Sequence, residues 1–372
     1  MLFHKTDITK HSAQSFSSST YFHGQDNTVI SYETTNAENK CLTEMIRVSS
    51  GTAIALGLID GFLNAKPTTA YLLTYIEGKC TANCGFCSQA KSSKSRADML
   101  SRVAWPVFAT KQVVSKLATA VQRGEIKRVC IQALNYPTVL EDLLALVKEI
   151  KLQGTKVPIS ISCQPLSRKA MRKLADAGVE RVGISLDAAT KDVFNRVKGS
   201  AANGPYEWNR QRDALLEAVE VFGKRKVSTH LIVGLGETEE EMIKTIQWCV
   251  DNNIYPALFS FTPILGTALE HKRSPTISHY RRIQLARYLI VQGKTRFEKM
   301  NFNEKSCIVD FGVSQEQLET AIRSGTPFLT SGCPNCNRPY YNEKPSGPLY
   351  NFPIQPTLQN IGEIKQQLIS NS

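Results

Sequence analysis

Three thiols, Cys80, Cys84 and Cys87, fall within eight positions of the stretch GKCTANCGFCSQA, with three residues and then two between them. A cubane iron–sulfur cluster needs thiolates on adjacent corners, and a short loop supplies three of them if it curls tightly. Asn83 and Gly85 allow that curl, because both tolerate left-handed backbone and glycine leaves room beside inorganic sulfide. Three ligands leave one iron open to a substrate or cofactor, as the open position of a catalytic zinc site does. The alternatives explain less. A structural zinc site asks for four ligands, usually in paired knuckles, and the nearest further Cys or His in sequence is Cys41. A redox pair at Cys84 and Cys87 leaves Cys80 without a role, and three buried small hydrophobes would need no such spacing.

Cys333 and Cys336, in SGCPNCNRPYYNE, form a second constellation that completes nothing alone. Further ligands are to be sought among Cys41, Cys130, Cys163, Cys249, Cys307, a histidine, or a hydroxyl such as Ser331 or Ser346. Cys130 and Cys163 fall in strand-like runs and Cys249 on a helix's apolar stripe, where a buried small hydrophobe is the expected use. Cys41 and Cys307 are freer, and either is expected to meet the pair over the mouth of the fold. The pair reads as an auxiliary iron–sulfur centre, a zinc knuckle or a simple dithiol. An auxiliary cluster would have a use: replacing C–H by C–S through radical chemistry requires a sulfur atom held in the active site.

The elements that must position these thiols alternate along the chain. Strand-like runs occur at TAYLLTYI (69–76), KRVCIQAL (127–134), VPISISCQ (157–164), ERVGISLD (180–187), VSTHLIVGL (227–235) and PALFSFTPI (256–264). Several are apolar almost throughout, as strands buried on both faces of a parallel sheet are. Helical patterns lie between them, with Val139, Leu143, Leu146, Val147 and Ile150 at helical spacing, and Met242, Ile246, Cys249 and Val250 likewise. SRKAMRKLADAG opens on a Ser N-cap and closes on Gly. Six successive βα units predict an α/β fold, a partial (β/α)6 TIM-like barrel, over residues 69–270. The cysteine loop then follows the first strand, on the face where barrel strands end. A doubly wound sheet is the second choice, but no Gly-rich dinucleotide turn follows the first strand.

Residues 1–40, rich in Ser, Thr and Asn, read as a disordered or loosely attached extension, and 41–68 as a lead-in with a helix and turn ending at Gly61. Residues 271–372 carry a helix at ISHYRRIQLARYLIV, a strand at SCIVDFG, a helix at QEQLETAI and an irregular cysteine-anchored wrap. With 42% hydrophobic and 21% charged residues the chain reads as folded, without a membrane span. No apolar segment of signal-peptide length is present, so ten cysteines in a cytoplasmic protein point to metal or burial rather than disulfides. The net charge is +12, and between Lys91 and Arg128 nine basic residues face Asp98 and Glu125, a local excess of +7 beside the cysteine loop. That suits an acidic partner or a solvated basic face. A basic, zinc-stabilised nucleic-acid-binding protein is the rival class, but no aromatic residues interleave with Arg and Lys as a base-stacking platform.

CxxxCxxC with Phe86 before the last Cys, at the end of the first strand of six βα units, resembles the radical SAM superfamily. The resemblance implies a [4Fe-4S] cluster on Cys80, Cys84 and Cys87 whose open iron chelates S-adenosylmethionine, the source of a 5′-deoxyadenosyl radical. HLIVGLGE resembles the superfamily's G-x-I-x-G-x-x-E element, matching at Ile232, Gly234 and Glu237 and carrying His230 in place of the first Gly. SLDAAT resembles the segment that holds the cofactor in biotin-synthase-like members, which makes Ser185 and Asp187 candidates; a helix N-cap is the other use for Asp187. TTAYLLTYIEGKCTANCGFCSQAKSS, DMLSRVAWPVF, HLIVGLGETEEEM and GCPNCNRPYYNE together resemble a narrower family, the archaeal-type two-protein lipoyl synthases, over residues 41–355. That resemblance implies sulfur insertion at C6 and C8 of an octanoyl-lysine on a carrier protein, a lipoyl domain or glycine-cleavage H-type protein. It also implies a second auxiliary [4Fe-4S] cluster at Cys333 and Cys336, a paralogous second subunit, and an acidic electron donor such as ferredoxin or flavodoxin. Biotin-type sulfur insertion on a free small molecule is the nearest alternative.

Overall fold

The computed structural model describes residues 44–369; the extension expected over residues 1–40, and Cys41, lie outside the described residues. In chain order the elements are β1 (Met45–Val48), α1 (Ser50–Ala55), β2 (Thr69–Thr74), β3 (Met99–Leu100), β4 (Val103–Ala104), β5 (Val107–Ala109), α2 (Thr110–Gln122), β6 (Arg128–Gln132), α3 (Val139–Leu152), β7 (Ile159–Cys163), α4 (Arg168–Asp176), β8 (Arg181–Ile184), α5 (Lys191–Val197), α6 (Trp208–Phe222), β9 (Val227–Val233), α7 (Glu239–Asp251), β10 (Ile254–Ser260), α8 (Ile277–Val291), β11 (Asn301–Phe302), β12 (Ile308–Asp310), α9 (Gln315–Arg323) and α10 (Leu358–Ile369). The main sheet runs β10-β9-β8-β7-β6-β2-β1-β5. The six strands from β2 to β10 pair in parallel, β2 with β6 and onward to β10. This is the partial barrel the alternation predicts. Among the described residues no helix is long and apolar enough to cross a membrane.

The local chemistry agrees with the elements. Ser167 caps α4 by accepting the Ala170 amide, and Gly178 just beyond its end has φ +93°. Thr238 and Glu241 close a capping box on α7, and Ser314 and Gln317 do so on α9. One expectation fails in the lead-in: IRV, assigned to a helix, is β1, because its backbone pairs antiparallel with β2 and with β5 and so covers the edge of the barrel sheet.

The hydrophobic core sits outside the barrel wall, where Val129, Ile131, Ile159, Val182, Leu231 and Leu258 meet the helices. Each such side chain contributes about 1.5–3 kcal/mol when buried. The inward positions alternate with these and are small or polar: Cys130 and Gln132 on β6, Ser160 and Ser162 on β7, Gly183 on β8 and Ser185 just past its end, Ser228 and His230 on β9. Closed (β/α)8 barrels fill this space with layers of branched side chains. Here it stays hollow.

The cysteine pair of the wrap (residues 329–357) does not lie over the mouth, where the sequence expects Cys41 or Cys307 to meet it. The wrap enters at the opposite pole, where the strands begin. Arg128 Nε donates to the Pro334 carbonyl at 3.0 Å, and the hydroxyls of Thr68 and Thr69 donate to the Asn335 carbonyl at 2.6 and 2.9 Å. From there it rises through the open seam between β10 and β2. The Leu258 amide donates to Ser331 Oγ at 2.7 Å, and Tyr71 Oη lies 3.4 Å from Cys336 Sγ. At the far end Thr262 Oγ1 donates to the Asn342 carbonyl and Ser101 Oγ to that of Tyr341. The wrap thus takes the place of the strands a complete barrel would have.

Candidate active site

Two adjoining cavities fill the hollow. The smaller, about 170 Å³, lies at the C-terminal ends of the strands and is lined by Cys80, Cys84 and Cys87 with Phe86, Ser185, Asp187, Ile232 and Tyr206. The larger, about 500 Å³, is lined by Cys130, Cys333 and Cys336. Gln132, Ser162, His230, Phe259 and Tyr341 belong to both and form the wall between them.

The cysteine loop is held by its backbone. The Cys80 amide donates to the Gln89 carbonyl, the Gly85 amide to the Val197 carbonyl, and the Cys87 amide to the Cys84 carbonyl. Asn135 N–H donates to Cys80 Sγ at 3.1 Å. Burial pushes the thiols of Cys84 and Cys87 up, the latter to about 12, and Lys198 works in the opposite direction on Cys84. Loading with iron must therefore displace protons that burial holds on the sulfurs. Among the described residues no three His, Cys, Asp or Glu donors converge as one metal ion requires. A cubane makes no such demand, since each thiolate binds a different iron.

Asp187 is not a helix cap. Its φ is +65°, its carboxylate accepts from Lys198 Nζ at 2.6 Å, and Thr190 caps the helix that follows. The Lys198 side chain is 0% exposed and its ammonium also meets the Ser185 carbonyl and the rings of Phe194 and Tyr206. A buried pair of this kind holds its charges only because both partners are present. The Ser185 hydroxyl lies 2.9 Å from His230 Nδ1. The His230 ring packs against Phe259 at a 55° tilt with centroids 4.7 Å apart, and burial lowers its pKa to about 4. It is uncharged at neutral pH. Glu237 faces its own turn, accepting the amides of Gly234, Leu235 and Gly236 at 2.6–3.0 Å. That turn needs glycine at φ +103° and +126°. Ile232 lines the smaller cavity and Gly234 supports the loop behind it.

Tyr206 was not anticipated. Its hydroxyl is buried in the smaller cavity with no hydrogen-bond partner among the described residues, beside the cysteine thiols. An unpaired hydroxyl in a buried site is costly unless a ligand meets it. Three thiols, a carboxylate and that hydroxyl fit a cluster with a polar organic ligand. Only its position outside every motif hid Tyr206 in the sequence.

In the second cavity the structure brings Cys130 to Cys333 and Cys336, against the expectation of a buried hydrophobe. Gln132 Nε2 donates to Cys130 Sγ at 3.1 Å, and Ser160 Oγ to Cys333 Sγ at 3.7 Å. A Cβ on Gly332 would lie 2.7 Å from Cys336 Sγ, so glycine is what lets the CPNC turn close around the sulfurs. Arg338 stacks on Phe259 with its guanidinium carbon 3.7 Å from the ring centroid. The inward parity that Cys130 shares with Gln132 on one strand is the signal that separates it from a core residue. Cys307 is elsewhere, donating to the Lys305 carbonyl beside Arg282. Cys249 is packed on α7, and Cys163 lines the smaller cavity. Ser331 lines the larger cavity while accepting from Leu258; Ser346 lines neither. Of the nine basic residues near the loop, Arg128 is buried and holds Glu180 at 2.9 Å, so it adds nothing to a surface patch.

Residues 75–249 match the radical SAM superfamily. The chain is 27% identical over 251 residues to a biotin synthase of Chlamydia pneumoniae, covering 64% of this chain and 70% of that one. It is 25% identical over 201 residues to a GTP 3′,8-cyclase of Paracoccus denitrificans, covering 52% of each. A biotin synthase of Aquifex aeolicus matches at 25% over 198 residues, 55% of its length. Among solved structures, methylornithine synthase superposes with a TM-score of 0.48 at 15% identity, covering 66% of this chain and 68% of that one. Residues 75–249, which carry the CxxxCxxC loop and the barrel strands β6 to β9, are a radical SAM domain related to those of the biotin synthases.

Proposed function

We propose that this chain is a radical SAM sulfurtransferase of the lipoyl synthase type, inserting sulfur into an octanoyl group carried on a lysine of a partner protein. The observation that supports this most is the pairing of two thiol sets inside one hollow barrel, with a single wall of side chains between their cavities. When bound, a [4Fe-4S] cluster with S-adenosylmethionine would supply a 5′-deoxyadenosyl radical on one side, and a sacrificial cluster would supply sulfur on the other.

The chain's own residues do the rest. Cys80, Cys84 and Cys87 hold the first cluster, and Cys130, Cys333 and Cys336 the second. Ser185, Asp187 and the Tyr206 hydroxyl orient the cofactor's polar groups, with Phe86 and Ile232 against its apolar parts. His230, neutral at working pH, and Phe259 present an uncharged surface to a methylene chain and keep water from the radical. The acidic carrier, a second subunit and an acidic reductant would meet the exposed lysines and arginines around residues 91–127.

Anaerobic incubation with an octanoylated lipoyl domain, S-adenosylmethionine and reductant, alone and with a paralogous subunit, tests the reading by intact mass. Gain of sulfur on the carrier supports it. No gain, with conversion of dethiobiotin instead, would place the chain with the biotin synthases that match its sequence.

A further inference from the structure

The larger cavity has its own way out. Of its lining, Arg102 is exposed and Gly51, Ile54, Leu63 and Val103 are partly exposed, so it opens on the flank of the barrel between α1, residue 63 and β4. The smaller cavity opens instead at the pole that carries the cysteine loop.

We propose that the acyl chain of the tethered substrate enters through this side mouth, while the cofactor takes the cavity at the C-terminal pole. The inference rests on the reading above for the identity of the chain. A path from the pole would run through the space beside Cys80, Cys84 and Cys87 that the cofactor occupies. The side path runs between Ile54, Leu63, Ala65, Pro67, Val103 and Trp105 and ends at the wall of His230 and Phe259. An apolar passage of this kind selects a linear alkyl chain, with binding weakening about fourfold for each methylene removed. Next in sequence to the lining residue Leu63, Phe62 is 86% exposed; Lys66 on the same segment and the lining residue Arg102 are exposed cations. An apolar anchor flanked by cations suits an acidic carrier domain whose lysyl arm points inward.

Gly51 offers the means to close the mouth. It lies in α1 without a positive φ, and a Cβ there meets only Leu63 Cδ2, at 4.0 Å. Gly51→Phe should fit the backbone and lie across the opening. The test uses the anaerobic, iron-loaded protein and an Nε-octanoyl-lysyl peptide with a diazirine at the end of the chain, photolysed and mapped by mass spectrometry. Labelling is expected on the larger cavity's lining, such as Trp105 or Cys130, and is expected to fall tenfold or more in Gly51→Phe but not in Gly51→Ala. If Gly51→Phe loses its iron, Leu63→Trp replaces it. Labelling of the other pole, at Leu134 or Thr262, would overturn the side entrance, as would no labelling or labelling indifferent to the blocking variants. Labelling at the side mouth without sulfur transfer to any carrier would overturn the reaction and leave the entrance standing.

Discussion

Tyr71 on the first barrel strand and Cys336 in the wrap lie 265 positions apart in sequence, yet the phenol oxygen sits 3.4 Å from the sulfur. The same hydroxyl accepts the Arg338 amide at 2.9 Å. Tyr71→Phe leaves that buried amide unpaired and frees the sulfur, which should cost about 1–3 kcal/mol. Urea unfolding should show a lower midpoint with an unchanged slope; an unchanged midpoint would mean the wrap is held without this contact.

Cys130 carries a sharper expectation. On the proposed reading two four-iron clusters would give about eight irons per chain, and Cys130→Ala should bring the count to about four, as should Cys333→Ala. Cys249→Ala, removing a thiol packed on a helix, should keep the full count. Both cluster variants should still cleave the cofactor while losing sulfur transfer. A full iron count in Cys130→Ala would return that thiol to the core.

The Lys198–Asp187 pair should behave as a unit. Lys198→Met strands a buried carboxylate and should destabilise by about 3–5 kcal/mol, and adding Asp187→Asn should recover a good part of the loss. Chemical denaturation of the two single variants and the double variant reads the coupling. Additive losses would show that each charge has other partners.

Stability should also fall in acid through Glu239. Its carboxylate, 0% exposed, binds Arg282 Nη2 at 2.6 Å, His279 Nδ1 at 3.1 Å and the Ile308 amide at 2.8 Å. Burial pushes this carboxyl up, but the hydrogen bonds outweigh it and hold the group below its usual value. A carboxyl depressed on folding contributes stability that is present above the unfolded pKa and is lost as pH falls through the folded one. Glu239→Gln should cost about 3–5 kcal/mol at pH 7 and flatten the acid limb between pH 5 and 3. An acid limb as steep as that of the unsubstituted protein would assign the loss to other carboxylates.

The barrel was legible because six β-rich runs alternate with helical patterns, and all six strands start within two residues of the expected positions, β10 two earlier at Ile254. The loop of Cys80, Cys84 and Cys87 was legible because its geometry is local. What depends on distant pairing was not. IRV reads as helix in sequence because nothing in three residues tells of the two strands that flank it. Sequence spacing does not say which pole Cys333 and Cys336 reach, a choice made by Arg128, Thr68 and Thr69 more than 200 residues upstream. Cys130 looked apolar between Val129 and Ile131 until the sheet fixed which side of the strand faces the hollow.

The seam-filling wrap also sets an order of manufacture. The thiols of the larger cavity come from residue 130 and from residues 333 and 336, so 203 residues must be translated between the first and the next. At typical synthesis rates that is roughly 10–40 s during which the larger cavity lacks two of its three thiols. The three thiols of the larger cavity can therefore meet only once the chain is nearly complete.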